Sequence, residues 1–77
     1  MPDINIKVKL FAYFREGRFK EAAFRYDEGT TPGTIVTALG IDPDDVGVIM
    51  VNNRQADMDT ALGDSDTVAI FPKIGGG

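Results

Sequence analysis

INIKVKL, residues 4–10, decides the fold: Ile4, Ile6, Val8 and Leu10 alternate with Asn5, Lys7 and Lys9. A period of two marks a strand with one buried face, ending near Phe11, and the alternation puts Phe11 on the polar side. Working outward, residues 13–17 read as turn, with Arg15, Glu16 and Gly17 together, and residues 21–26 read as a returning strand carrying Ala22, Phe24 and Tyr26 on one face. The two strands form a hairpin with a loop longer than two residues. Thr31 followed by Pro32 is a helix start, a capping hydroxyl before a proline whose missing N–H costs nothing at the first helical position. Ile35, Val36 and Leu39 recur at helical spacing, and Gly40, Ile41, Asp42 and Pro43 stop the helix after about two turns. So short a helix cannot stand alone, and its apolar stripe must lie against a sheet.

The apolar run at residues 47–51 reads as a third strand closed by Asn52 and Asn53, after which Arg54 and Gln55 restart the chain. Residues 57–62 are expected to form a brief helical turn, and Asp64, Ser65 and Asp66 a tight corner. Thr67 to Phe71 is the last strand, with Val68 and Ile70 facing one way and Ala69 and Phe71 the other, and it can lie beside the first. The order predicts an α+β fold: a beta-grasp (ubiquitin-like) roll, a mixed sheet of four to five strands packed on one main helix. Residues 1–72 form the domain and residues 73–77, KIGGG, a flexible glycine-rich tail.

Composition narrows the chemistry. With 77 residues there is one small core, and no cysteine or histidine is present. Thiolate catalysis, disulfides and cysteine-ligated metals are excluded, and the commonest general base is missing. The chain is expected to be no enzyme by itself and to bind no metal or cofactor. Asp57, Asp59, Asp64 and Asp66 do not fit a calcium loop, which would need glycine at Leu62 and glutamate at Val68. No long apolar segment suggests a membrane, so a cytoplasmic location is expected.

Formal net charge is −4, with seven acids against Arg54 alone over residues 30–72. Such a surface repels a phosphate backbone and attracts a basic protein. Arg15, Arg18 and Lys20 beside Tyr13, Phe14 and Phe19 imitate a nucleic-acid patch. They read better as a solvated loop with anchoring rings, and no nucleic-acid partner is expected.

In this order and at these distances, four stretches resemble the MoaD/ThiS family of sulfur carriers, closest to MoaD. They are KLFAYFRE at residues 9–16, VNNR at 51–54, ALGDSDTVAIFP at 61–72 and the final Gly76-Gly77. Lys73 stands where such proteins often carry a second proline, and Gly75 precedes the usual glycine pair. The resemblance implies that Gly77 is the working group. An E1-like adenylating enzyme of the MoeB/ThiF type would use ATP to activate its carboxyl, and a sulfur donor such as a persulfide would convert it to a thiocarboxylate. A larger catalytic subunit of the MoaE type would pass the sulfur to a pterin precursor in molybdenum cofactor biosynthesis. The chain would then be the sulfur-carrying small subunit of a molybdopterin synthase-like complex. Sulfur donation to a thiazole or another metabolite, joining to other proteins as a modifier, and a non-catalytic interaction domain remain alternatives.

The tail suits that role. Gly75, Gly76 and Gly77 carry no side chain to obstruct a narrow site. Residues 73–77 fully extended reach roughly 16–18 Å, and Pro72 stiffens their exit from the strand. A partner also needs a surface to bind. With Ile4, Ile6, Val8, Leu10, Val68 and Ile70 in the core, Phe11 and Phe71 face the other side of the sheet, beside Val48 or Met50. These residues and Pro72 are the expected partner-binding patch.

Overall fold

A computed structural model describes residues 3–73. It contains β1 (Asp3–Leu10), β2 (Glu21–Asp27), α1 (Pro32–Ala38), β3 (Val46–Val51), β4 (Arg54–Ala56) and β5 (Thr67–Pro72). Two short 3-10 turns lie at Ala12–Arg15 and Pro43–Asp45. The five strands form one sheet in the order β2-β1-β5-β3-β4. β1 and β5 run parallel at its centre, with Val8 beside Val68 and Leu10 beside Ile70, and all other pairs are antiparallel. This is the beta-grasp roll expected from the sequence: a mixed sheet of five strands over a single helix.

Alternation in β1 produces the core. Ile6, Val8, Leu10, Val68 and Ile70 are wholly buried and Ile4 nearly so. From the helix, Ile35 and Val36 complete this layer, each contributing about 1.5–3 kcal/mol by leaving water. Phe14, Ile41, Ile49 and Leu62 close its margins. Both helix ends are held as their sequence predicts. Thr31 Oγ1 accepts the Thr34 N–H at 3.3 Å, and Pro32 takes the first position. At the other end Gly40 turns to φ +75°, its N–H donates to the Thr37 carbonyl, and the Ile41 N–H donates to the Val36 carbonyl. That double return bond seats the apolar Ile41 under the last turn.

The 57–62 segment departs from expectation and forms no helical turn. The Asp57 carboxylate accepts the Asp59 N–H at 3.0 Å and the Thr60 hydroxyl at 3.2 Å, a local bonding pattern that competes with helix formation. The segment instead leans on the helix: the Met58 carbonyl accepts the Gly33 N–H, and the Thr30 carbonyl accepts the Leu62 N–H.

Other acids of the second half build turns as well. Asp64 accepts the Asn5 N–H at 2.8 Å, and Asp66 accepts from Gly63 and from the Asn52 amide. Two of the three loop cations are likewise anchors. Arg18 donates to the Leu39, Gly40 and Phe14 carbonyls, tying the β1–β2 loop to the helix C-terminus, and Arg15 Nε donates to the Leu10 carbonyl.

Candidate docking face and tail root

The helix covers one face of the sheet and leaves the other open. On that outer face β1 offers Lys7 and Lys9, with Phe11 directly after its end, β5 offers Ala69 and Phe71, and β3 offers Val48 and Met50. Register places Val48 opposite Phe71 and Met50 opposite Ala69. Phe11 and Phe71 stack with centroids 4.2 Å apart and planes 12° from parallel. Each ring shields one face of the other, which is why both are half-buried in an otherwise open position. Val48 is 41% exposed and Met50 half-buried. The structure therefore brings Phe11, Phe71, Val48 and Met50 into one apolar strip across three neighbouring strands. Pro72 does not share that strip: it is buried at the end of β5, paired with Val46.

The strip's rim is cationic on the β1 side. The Arg15 guanidinium sits 5.3 Å above the Phe11 ring, where the ring's negative face attracts it. Lys7 and Lys9 lie 3.6 and 3.9 Å from Glu21, exposed pairs of small energetic weight. Most second-half acids sit at turns rather than on this strip, so attraction of a basic partner to that half would act away from the patch.

Beside the strip the chain leaves the sheet. Pairing of β3 with β5 slips between Val46 and Val48, and Gly47 occupies the irregularity. A Cβ at Gly47 would lie 2.9 Å from the Pro72 carbonyl oxygen and 3.0 Å from Lys73 Cα, closer than atoms pack, so β3 can close on this exit only through a glycine. The Lys73 N–H donates to the Asp45 carbonyl at 2.9 Å. The described chain is thus held as far as Lys73. Of the five residues expected to form the tail, only Lys73 falls within the described residues. Gly75, Gly76 and Gly77 lie outside the described residues.

The sequence reading missed Gly47 and Arg15 as parts of this site. Gly47 did carry a signal, since an isolated glycine in an apolar strand marks a bulge or a close backbone approach. Arg15 carried none, because only the 3-10 turn after β1 swings it over Phe11. Elsewhere, a shallow groove along α1, lined by Gly33, Thr34, Thr37, Ala38, Pro43 and Met58, brings no cluster of reactive groups together. Among the described residues no group of three or more acidic side chains is placed to hold a metal, and no helix is long and apolar enough to cross a membrane.

Comparison with known proteins agrees with this anatomy. A search of curated protein sequences found no match. Among solved structures, the HVO 2177 protein of Haloferax volcanii superposes with a TM-score of 0.79 at 28% identity, covering 97% of this chain and 88% of its own. A Pyrococcus furiosus protein assigned as molybdopterin converting factor subunit 1 gives 0.73 at 30% identity, covering 92% and 99%. SAMP1 from Haloferax volcanii gives 0.71 at 26% identity, covering 95% and 99%. The sequence pattern of the ThiS family matches residues 8–77. This chain belongs to the ThiS family, within the ubiquitin-like sulfur carriers and modifiers.

Proposed function

We propose that this chain is a sulfur carrier with Gly77 as its C-terminal residue and reactive group, acting as the small subunit of a molybdopterin synthase-like complex. A carboxylate is a poor electrophile at neutral pH. An E1-like enzyme therefore joins it to AMP, releasing pyrophosphate from ATP. A persulfide sulfur attacks the acyl carbon, a C–S bond forms, and the C–O bond to AMP breaks. A second thiol then splits the S–S bond, leaving a disulfide on the donor side and a thiocarboxylate on Gly77. A larger catalytic subunit receives the loaded tail and transfers the sulfur to a pterin precursor in the cytoplasm. The chain itself contributes the tail, its fixed root and the apolar strip beside it. Phe11, Phe71, Val48 and Met50 are the residues a partner would cover, and carboxylates on that partner would suit Lys9 and Arg15.

The observation that carries this reading is the family match over residues 8–77, which includes Gly77. Intact mass after incubation with an activating enzyme, ATP and a sulfur donor tests it. Exchange of one oxygen for one sulfur in the full chain, absent when Gly77 is deleted, supports the carrier. No exchange with an enzyme proven active on another carrier counts against it and favours an interaction domain with a chemically silent tail.

The 26% identity to SAMP1, a small archaeal modifier protein, favours a second reading: Gly77 joined to a lysine of another protein. Isopeptide-linked Ile-Gly-Gly-Gly remnants on cellular lysines, left when trypsin cuts after Lys73, would establish it, and a chain found only as thiocarboxylate would remove it.

A further inference from the structure

We propose that the open edge of β2 pairs with a second copy of this chain, antiparallel through Ala23, to make one continuous ten-stranded sheet.

The backbone bonds show which groups are available. In β1, Lys7 and Phe11 donate toward β5, to the Asp66 and Ile70 carbonyls, whereas Leu10 donates toward β2, to the Lys20 carbonyl. Alternation then turns the even residues of β1 toward β2, with partners Ala22, Phe24 and Tyr26. Odd residues of β2 must point the other way. The N–H and C=O groups of Glu21, Ala23 and Arg25 therefore form a row along the sheet's outer edge. At the opposite edge β4 is only three residues long. β2 has seven, and no element follows it in the sheet order. Long unpaired edges of this kind are templates for another strand.

The side chains of β2 are complementary to themselves in one register. With Ala23 opposite the partner's Ala23, Glu21 faces the partner's Arg25, and by symmetry Arg25 faces the partner's Glu21. Both pairs are exposed on the same face. Ala22 then meets the partner's Phe24, and Lys20 meets the partner's Tyr26. Moving two steps one way puts Glu21 opposite the partner's Asp27, where like charges repel. Moving two steps the other way leaves Glu21 opposite the partner's Ala23 and forfeits both charge pairs. A one-step slip would set polar faces against apolar ones. Charge thus selects a single register.

An apolar reason to pair lies on the inner side of the same edge. Phe19, Phe24 and Tyr26 form a half-buried aromatic row, with centroids 5.4 and 5.9 Å apart, flanking the core where no further strand covers it. A second copy would bring its own row against this one. The two-fold axis would stand perpendicular to the sheet, so both Phe11–Phe71 strips would face the same side. The two β5 strands would point in opposite directions, leaving both tail roots clear.

Sedimentation velocity across a concentration series, with amide exchange of the intact chain, tests the pairing. The expected result is a mass rising from one chain to two, with exchange at Ala23 and Arg25 slowing as concentration increases. Arg25→Glu sets two acids opposite two others and should weaken association roughly tenfold or more. Glu21→Arg should do the same with cations, and mixing the two variants should restore a dimer because both charge pairs between the two copies are again opposite in sign. Ala23→Pro removes an edge N–H that β1 does not use and should abolish the dimer. A single-chain mass up to about 1 mM, or a dimer indifferent to both Arg25→Glu and Ala23→Pro, would overturn the proposal.

Discussion

Gly47→Ala puts the tail root to a direct test. Gly47 has no positive φ, so alanine is allowed there, and on backbone entropy alone the change should stabilise by about 0.4–1 kcal/mol. Contact decides otherwise. The added Cβ would stand 2.9 Å from the Pro72 carbonyl oxygen, 3.0 Å from Lys73 Cα and 3.1 Å from Lys73 N, and all three are backbone atoms that cannot swing aside. Overpacking of this kind costs about 1–3 kcal/mol. If β3 and β5 separate to relieve it, the Lys73–Asp45 bond goes too, about 0.5–1.5 kcal/mol more. The net expectation is a loss of about 1–3 kcal/mol, which at this chain length lowers the melting temperature by about 4–8 °C per kcal/mol. Gly63→Ala is the internal control: its Cβ would lie 3.7 Å from an Asp66 carboxylate oxygen, an ordinary contact, so it should be neutral or slightly stabilising. Thermal unfolding of both variants, with amide exchange at Lys73, is the assay. A Gly47→Ala protein with unchanged melting temperature and unchanged protection of Lys73 would refute the argument.

Two further outcomes follow from the structure. Thr31→Ala should destabilise the domain by about 1 kcal/mol in urea unfolding, because the Thr34 N–H loses its side-chain acceptor, whereas Thr31→Ser should cost little. Burial raises the Tyr26 phenol above its ordinary value of 10.0, so the folded chain holds that proton more tightly than the unfolded one. Stability from this group is complete below about pH 10 and falls as pH rises through the higher folded value. Urea midpoints on the alkaline side should therefore drop more steeply for the natural chain than for Tyr26→Phe, and identical slopes would contradict the assignment.

Signals local in sequence were legible. Alternation in β1, the Thr31-Pro32 start and the Gly40 stop name their own structures, because each works through neighbours within a few residues. Asn52 and Asn53 likewise take φ values of 52° and 68°, the pair a two-residue hairpin needs. The outer strip could be inferred because a strand's two faces are fixed once its core face is known. Three-dimensional coincidence was harder to read. Phe14 was legible as one of the rings that anchor the loop, but the 3-10 turn after β1 that buries it was not. Asp57 opens the stretch expected to turn helically, yet its carboxylate takes the Asp59 N–H and the Thr60 hydroxyl instead. Gly47 and Lys73 are far apart in sequence, and only the slipped register of β3 on β5 brings them together.

The position of β5 also governs when the molecule can exist at all. It comes last among the described strands, yet it fills the middle of the sheet, between β1 and β3. Until Thr67–Pro72 has been made, β1 lacks its parallel neighbour and β3 lacks its longest partner, so the two ends of the layer have nothing to join them. Pairing across some sixty residues of chain is slow to form, and unfinished sheets of this kind are prone to aggregate. A chain terminated before Thr67 should therefore fail to fold. The fold acts as its own proofreader: a folded globule is one whose synthesis has already passed Pro72.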